Sequence, residues 1–378
     1  MNLEEAEGKR ILEAAGIAVP RGELCETPEA AAAAAARLGP CAVKAQVPAG
    51  KRGKAGGIRI AEDREQALAA ARAILGMEIA GHRVAQVLVE QRADIAQEYY
   101  AAVLNDVESR QPLILFSTAG GMDIEEIAVE RPKSISRIPV GIEHGAQRAQ
   151  VRAALQRAGT GGELDGVADG VADLLVRLYE IYARTDAELL EINPLVRLRG
   201  GGLLALDCKL TLDDAALFRQ PELARRGTRE PLTEIEARAR ELGLKYIELA
   251  GSVGVLANGA GLTMTTMDVI EHCGGAAANF LEIGGDAYTK ATPALGLVLA
   301  NPRVKSVIVN FCGAFARTDV MAEGVVRAWE TLKPTLPVFF SVHGTGEEEA
   351  IALIRQRLRI EPFDRMEDAV RAAVEAAR

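Results

Sequence analysis

Residues 188–210 read ELLEINPLVRLRGGGLLALDCKL, and this stretch indicates the fold of the first half of the chain. Two apolar runs, LLEINPLV and LLALD, flank the turn RLRGGG, a pattern typical of a β-hairpin. Glu191 and Asn193 lie on the first run, and Asp207 ends the second, two residues before Lys209. Because side chains two residues apart on a strand point to the same face, these side chains can converge.

The converging oxygen atoms indicate a chemistry for the hairpin. Mg²⁺ bound with a nucleotide polyphosphate prefers oxygen ligands and takes few of them from the protein. The hairpin therefore predicts a magnesium–nucleotide site. From this stretch alone, an ordinary edge hairpin whose polar side chains face water stays open.

Length and composition predict a soluble protein of two or three domains. The chain has 378 residues, of which 49% are hydrophobic and 26% charged, so we expect packed cores rather than disorder. A net charge of −9 gives no reason to expect nucleic acid or an anionic membrane as a partner. The five cysteines lack CxxC spacing, and Cys208 is predicted to be a buried structural thiol. With neither a signal peptide nor a long apolar run, we expect a cytoplasmic location.

The pattern of elements changes in the charged, proline-bearing stretch 218–243. Before it, helices and strands alternate irregularly, and the strands QVLVEQ (86–91) and EYYAAVLND (98–106) are predicted to pair. After it, strand–glycine loop–helix units imply an α/β domain with a doubly wound parallel sheet. Ligands bind such sheets at the carboxyl ends of the strands. We predict domains at 1–235 and 236–378.

A basic glycine loop precedes the hairpin in the chain. The loop PAGKRGKAGG (48–57) carries Lys51, Arg52 and Lys54 among four glycines, and Lys44 lies on the strand before it. Backbone N–H groups and cations together suit a di- or triphosphate. No GxxxxGK[ST] motif is present, and a solvated turn stays open as an alternative. Two strand carboxylates, Glu90 and Glu98, are candidate acceptors for a ribose or an adenine amino group.

A set of ordered motifs over essentially the whole chain resembles one enzyme family. The motifs are VKAQVPAGKRGKAGG, LVE, GGMDIEEIA, EINPLV, LALDCKL, LFRQPEL, NGAGLTMTTMD, ANFLEIGG and VIVNFCGAFARTD. They resemble the β subunit of succinyl-CoA synthetase (succinate–CoA ligase, ADP-forming) and of malate–CoA ligase. The resemblance implies an N-terminal ATP-grasp domain and a C-terminal flavodoxin-like domain. It also implies a partner α subunit that binds CoA and carries a phosphohistidine.

The resemblance implies roles for individual residues of the first domain. Lys44 matches a phosphate-contacting lysine, and Glu191 matches the glutamate that holds the partner's active histidine. The remaining matches are Lys51-Arg52-Gly53 to a Gly-Arg-Gly loop, Glu90 and Glu98 to nucleotide-contacting glutamates, and Asn193 and Asp207 to magnesium ligands. The last pair agrees with the hairpin argument.

In the second domain, the resemblance places the organic acid against two loops. Asn258 in NGAG and the loop Gly313-Ala314-Phe315-Ala316-Arg317 match the part that faces the acid and the α-subunit active site. Arg317 is the catalytic candidate there, and the others are substrate contacts. This chain departs from the family's pattern at Pro48, Lys51, Ala314, Phe315, Asp286, Tyr288, Ser341 and His343. The last six departures are expected to change which acid is bound.

We therefore expect the β subunit of an ADP-forming acyl-CoA ligase. It would bind Mg²⁺ and ATP/ADP, and it would couple ATP use, through the partner's phosphohistidine, to thioester formation between a small dicarboxylic acid and CoA. CoA would bind mainly to the partner. Pro20 stands where ATP-preferring relatives carry proline, which predicts ATP over GTP. The alternatives are a malate–CoA or citrate–CoA ligase β subunit, an ATP-grasp carboxylate–amine ligase acting alone, and a non-catalytic nucleotide-binding regulatory subunit.

Overall fold

A computed structural model divides the chain into two units, Met1–Glu230 and Pro231–Arg378. It describes residues 1–121, 124, 129, 134–157, 164, 166–228, 232–283 and 287–378, with only the backbone of 287 and 288. The domain division at 235/236 stays a prediction, five residues from the boundary between these units.

The first unit is built on a large antiparallel sheet. Its strands are β1 (Asn2–Leu3), β8 (Ile95–Asp106), β9 (Gln111–Ser117), β10 (Ile135–Pro139), β11 (Ala187–Leu198), β12 (Leu203–Ala205) and β13 (Lys209–Leu212). They lie in the order β1-β13-β11-β8-β9-β10, with β12 also beside β11. The core against this sheet includes α1 (Glu5–Ala14), α4 (Arg148–Arg157) and α5 (Ala168–Arg184). Helix α5 buries Val171, Leu174, Leu175 and Leu178, the spacing of one helical face.

A smaller antiparallel sheet completes the fold of the first unit. It runs β2 (Gly22–Cys25), β7 (Gln86–Gln91), β3 (Cys41–Gln46), β4 (Ile58–Ala61), and a separate pair joins β5 (Glu78–Ile79) to β6 (His82–Arg83). Helices α2 (Pro28–Leu38) and α3 (Arg64–Ile74) share its apolar core. Thr27 caps α2, whose buried face consists of alanines and Leu38 and packs closely because those side chains are small.

The predicted pairing of strands 86–91 and 98–106 is wrong. Strand β7 pairs with β2 and β3, whereas β8 pairs with β9 and β11 in the other sheet. The two strands are close in the chain, but each pairs with other strands, in a different sheet. Nearness in sequence suggests a hairpin without excluding such non-local pairing.

The 188–210 hairpin forms with an interruption in its middle. Leu195 pairs with Ala205, and Glu191 pairs with Lys209, while the register between β11 and its other neighbour, β8, shifts between Ile192 and Leu195. On the first strand this shift contains the cis peptide Asn193–Pro194. On the returning side, residues 206–208 belong to no strand. Asn193 and Asp207 therefore both lie in the interruption, rather than on a continuous pleat as the sequence predicted.

The second unit is a doubly wound sheet, as predicted. Its strands run β14 (Lys245–Glu248), β16 (Asn279–Glu282), β15 (Val253–Ala257), β17 (Ser306–Gly313), β18 (Val338–Gly344). All neighbours are parallel except β14 and β16. Its helices are α7 (Glu234–Glu241), α8 (Ala260–His272), α9 (Ala287–Ala300), α10 (Thr318–Leu332), α11 (Glu347–Leu358) and α12 (Met366–Ala376), and they contribute to two separate hydrophobic cores.

The segment between the sheets of the two units is helical, as predicted for 218–243. It holds a 3₁₀ helix, Asp214–Arg219, then α6 (Pro221–Arg226) and α7. Thr233 and Glu236 form a capping box at the start of α7. In the part of the chain that the structure describes, no helix is long and apolar enough to cross a membrane.

Candidate active site

A cavity of about 480 Å³ in the first unit gathers most of the predicted nucleotide and metal residues. Strand β3, the basic loop after it and the interrupted hairpin all contribute to its wall. The predicted residues that line it are Lys44, Lys51, Arg52, Gly53, Glu191, Asn193 and Asp207. Glu90 and Glu98 are not among its lining residues. The cavity thus unites the two sequence features that were separately interpreted as a phosphate loop and a metal hairpin.

Lys44 and Arg52 are bound into a buried group of charges. Lys44 Nζ lies 2.8 Å from Glu5 Oε1 and 2.7 Å from Glu90 Oε2. Arg52 Nη1 lies 2.6 Å from Glu5 Oε2, and its Nη2 lies 2.7 Å from Asp207 Oδ1. We call Glu5, Lys9, Lys44, Arg52, Glu90 and Asp207 the ion cluster. It contains three cations and three carboxylates.

The surrounding charges keep Glu5 and Lys44 ionised. Burial by itself would raise the pKa of Glu5, but Lys44, Lys9 and Arg52 together hold that pKa well below its ordinary value. Burial by itself would lower the pKa of Lys44, but Glu5, Glu90 and Asp207 raise it above the ordinary value. Lys44 therefore stays positively charged at neutral pH, as a phosphate-contacting residue requires, although the three cations and three carboxylates of the cluster balance.

Asn193 and Asp207 offer a small oxygen-ligand set. Asn193 Oδ1 accepts a hydrogen bond from the Gly121 amide at 2.9 Å. Asp207 Oδ1 accepts from the Cys208 amide at 2.7 Å and from Arg52. No group of three or more His, Cys, Asp or Glu that could hold a metal occurs among the described residues. This donor set fits Mg²⁺ that takes its remaining ligands from a nucleotide and water, and not a metal held by protein alone.

Glu191 and Glu98 lie on neighbouring strands of the large sheet. Tyr100 donates its hydroxyl to Glu191 Oε2 at 3.0 Å. Glu98 lies beside Gly121, where an added Cβ would be 2.3 Å from Glu98 Oε2 and φ is +72°. Glycine is therefore required at 121, and this residue links the surroundings of Glu98 to Asn193. The motif residues that follow it, 122–123 and 125–128, lie outside the described part of the chain.

A second cavity, of about 400 Å³, adjoins the ion cluster. Glu90 and Lys9 line it, and so does Pro20, the residue on which the base prediction rests. Lys9 and Glu5 were missed by the sequence reasoning. They are spaced i, i+4 on α1, a spacing that is typical of exposed ion pairs, so the sequence contains no sign of their burial. Cys208 is buried, as predicted.

In the second unit, the predicted substrate residues lie at the carboxyl ends of β15 and β17. The Asn258 amide makes two hydrogen bonds to the Cys312 backbone, at 2.8 Å to its carbonyl and 2.9 Å from its N–H. Arg317 is paired with Asp319 through two hydrogen bonds of 3.0 Å. Ala314 and Phe315 are exposed, and Ala316 is half-buried. Asn258 thus supports the loop that contains the other candidates.

The loop 313–317 is also fastened to the end of β18. The Thr345 amide donates to the Gly313 carbonyl at 2.8 Å, and the Thr318 amide donates to Thr345 O at 2.8 Å. A Cβ on Gly344 would lie 2.1 Å from Gly313 O, and φ of Gly344 is +108°, so this approach requires glycine. The loop with Phe315 is therefore held at both ends.

The residues that depart from the family's pattern do not all reach this loop. Ser341 is fully buried within β18, and that strand continues to Gly344. His343 is half-buried, with Nδ1 3.5 Å from Glu347 Oε1. Asp286 and the Tyr288 side chain lie outside the described residues.

Comparisons with known proteins match both units. Residues 2–197 match the ATP-grasp domain family model, and residues 256–374 match the CoA-ligase family model. The chain is 44% identical to the β subunit of the ADP-forming succinate–CoA ligase of Rubrobacter xylanophilus, over 100% of this chain and 99% of that protein. It is 43% identical to the β subunit of the GDP-forming enzyme of Thermus thermophilus, over 94% of this chain and 93% of that protein.

A solved structure agrees in fold. ATP citrate lyase from Methanothrix soehngenii superimposes with a TM-score of 0.68 at 24% identity, over 99% of both chains. At that identity the likeness shows the fold alone.

These findings confirm the predicted fold class and the predicted family. The ATP-grasp match indicates nucleotide binding, and relatives that are β subunits indicate an α-subunit partner. The predicted acid–thiol ligase class is confirmed as well. The chain belongs to the β-subunit family of the succinate–CoA ligases.

Proposed function

We propose that this chain is the β subunit of an ADP-forming ligase that joins a small dicarboxylic acid to CoA. The main support for the proposal is that Lys44, Arg52 and Asp207 line one cavity. All three belong to the buried, charge-balanced ion cluster. Phosphoryl transfer depends mainly on positioning and charge neutralisation, which these residues are suited to supply. A full-length match to succinate–CoA ligase β subunits supports the same reaction.

Each side chain of the cavity has a task in this proposal. Lys44 and Arg52 neutralise the phosphate oxygens, and Lys51 and Gly53 contribute the rest of the loop. Asn193 and Asp207 would hold Mg²⁺, which would offset the charge that develops on the transferring phosphoryl group. Glu191, steadied by Tyr100, accepts a hydrogen bond from the α subunit's histidine and orients it for attack. Glu90 and Glu98 contact the nucleoside.

The reaction proceeds by two transfers through the partner's histidine. The histidine nitrogen takes the γ-phosphoryl group of ATP and releases ADP. The phosphoryl group then passes to a carboxylate of the acid, and the CoA thiol displaces phosphate to form the thioester. The loops at Asn258 and 313–317, each followed by a helix N-terminus, present N–H groups to the anionic intermediate.

Reconstitution with the cognate α subunit tests this function. The chain alone is expected to form no acyl-CoA from ATP, CoA and succinate, because we assign the phosphohistidine to the partner. The two subunits together are expected to form it and to release ADP. Thioester synthesis by this chain alone would contradict the two-subunit assignment. A pair that binds ATP without phosphorylating the partner's histidine would instead support a regulatory subunit.

Replacing the candidate metal ligand tests the placement of the chemistry. In the reconstituted pair, Asp207→Ala is expected to lower kcat by at least about 100-fold, since it removes a charged ligand of the metal. The matched control is Asp94→Ala, which removes an exposed carboxylate paired with Arg199. Circular dichroism should show both variants folded. Near-normal turnover of Asp207→Ala would remove Asp207 from the site.

The base preference is a separate proposal. Pro20 lines the second cavity together with Lys9 and Glu90 of the ion cluster, a position suited to meeting a nucleobase. We expect a higher kcat/KM for ATP than for GTP. Pro20→Gln is expected to bring the ratio of these two kcat/KM values closer to one. A ratio that favours GTP in the wild type would show this proposal to be wrong.

A further inference from the structure

The first helix contributes two buried, oppositely charged side chains to the ion cluster. Lys9 Nζ lies 2.7 Å from Glu5 Oε1, one helical turn away, and it also forms an ion pair with Glu90. Both side chains are at most 5% exposed. An i, i+4 pair on a solvent-facing helix contributes little, but burial makes the placement of each charge costly unless its partners are fixed.

Glu5 is the common partner of Lys44 and Arg52, two of the cations that line the cavity. Its Oε1 lies 2.8 Å from Lys44 Nζ, and its Oε2 lies 2.6 Å from Arg52 Nη1. Lys44 comes from strand β3, and Arg52 comes from the glycine loop and donates to the Ala45 carbonyl of β3 at 3.0 Å. The Glu5 carboxylate on α1 adds a direct bridge between the two cations.

Lys9 reaches the metal-ligand segment in the same way. Lys9 Nζ donates to the Leu206 carbonyl at 2.8 Å, and Lys44 Nζ donates to the same oxygen at 2.6 Å. Leu206 directly precedes Asp207 in the stretch that belongs to no strand. The backbone position of Asp207 is thus determined partly by Lys9, which is not among the lining residues of the cavity that holds the phosphate and metal candidates.

We propose that Glu5 and Lys9 are positioning residues that hold the cations and the metal-ligand segment of the nucleotide cavity in place. This inference rests on the proposed function, because it assigns them to the binding of Mg–nucleotide. Removing either one leaves the ion cluster with an unbalanced charge, whereas removing both restores the balance with two cations and two carboxylates. The double variant therefore separates charge balance from positioning.

Calorimetric titration of the full-length chain with Mg-ADP tests the inference. Lys9→Met is expected to raise the Kd about 10–100-fold, the range for supporting residues of a metal site, and Lys9→Arg is expected to restore much of the affinity. Glu5→Gln/Lys9→Met should recover most of the melting temperature lost in Lys9→Met, while its Kd stays raised. The matched control is Glu7→Gln on the same helix, whose partners Arg10 and Arg226 are exposed. Its Kd should not change.

The outcomes separate this inference from the proposed function. If wild type binds Mg-ADP and the double variant binds it equally well, Glu5 and Lys9 serve stability only, and the inference is overturned. The same holds if Lys9→Met melts earlier but keeps the wild-type Kd. If the wild-type chain binds no Mg-ADP, the proposed function fails first and the inference falls with it. In the reconstituted pair, Lys9→Met should raise the KM for nucleotide, and Lys9→Arg should raise it less. That order would support a positioning role.

Discussion

Glu5 shows at the scale of one residue how a buried carboxylate is kept ionised. Three cations surround it, and they outweigh the cost of taking it out of water. A buried ion pair is weak evidence for stability, because two well-packed apolar side chains often do as well. In this protein the buried ion pairs of Glu5 help to position the side chains of Lys44 and Arg52 relative to each other.

The depressed pKa of Glu5 predicts a pH-dependent contribution to stability. Its folded-state pKa lies below the unfolded value of about 4.3, so the contribution is present above that pH and is lost as the pH falls toward the folded value. Glu5→Gln is expected to lower the free energy of unfolding by about 3–5 kcal/mol at pH 7, as for breaking a buried pair. Urea unfolding at neutral and acidic pH measures this.

The change in this free-energy difference at acidic pH distinguishes charge from packing as its cause. The difference between wild type and Glu5→Gln should shrink as the pH falls below about 4.3, because the unfolded-state carboxylate then takes up a proton while the folded-state carboxylate, with its lower pKa, does not. Glu7→Gln, with exposed partners, should cost at most about 1 kcal/mol. A difference for Glu5→Gln that stays constant into acid would mean that its cost comes from packing rather than charge.

At the scale of elements, α1 approaches the hairpin unusually closely. An added Cβ on Gly8 would lie 2.6 Å from Cys208 Sγ and 3.2 Å from Cys208 Cβ. The absence of a side chain at Gly8 lets α1 carry Glu5 and Lys9 to the cavity wall. The interruption of the hairpin at 206–208 provides the matching surface.

Gly8→Ala is expected to destabilise the first unit. A helix interior ordinarily gains about 1 kcal/mol from this change, but overpacking against Cys208 costs about 1–3 kcal/mol. We expect a lower midpoint of urea unfolding and weaker Mg-ADP binding. In a Cys208→Ala background, which removes the Sγ atom, the same substitution should become neutral or stabilising. Stabilisation by Gly8→Ala alone would show that α1 can shift without cost.

At the scale of the whole molecule, the chain separates its chemistry between two units. The first holds the cations and the oxygen ligands in one cavity, and the second presents a fastened loop with a fully exposed Phe315. A phenyl ring exposed in this chain can affect substrate choice only when another surface covers it. Specificity is therefore expected to be a property of the assembled enzyme.

Substrate choice in the reconstituted pair is the prediction at this scale. We expect a substituted or longer dicarboxylate to rival succinate in kcat/KM across succinate, malate, itaconate, glutarate and citrate. Phe315→Ile is expected to change the ratios by about 10-fold or more, since one pocket contact is worth about 10–200-fold. Phe218→Ile, which alters an exposed phenylalanine of the first unit, is the control. A clear optimum at succinate, unchanged in Phe315→Ile, would contradict this prediction.

The sequence by itself determined the features that depend on local pattern. The hairpin, the basic loop and the doubly wound half follow from alternation, turn residues and strand–loop–helix order, because these report backbone conformation over a few residues. Ordered motifs also identified the family and the candidate residues, and most of the nucleotide and metal candidates line one cavity.

Only the tertiary structure decided which strands pair and which charges are buried. Strand 86–91 pairs in the smaller sheet and not with the neighbouring strand 98–106, and Ser341 is buried within β18. Lys9 reaches Glu90 and Leu206, which lie 81 and 197 residues away in the chain. An i, i+4 pair of opposite charges looks the same in sequence whether water or other ions surround it. Contacts between distant residues set that surrounding, and with it the role of the first helix.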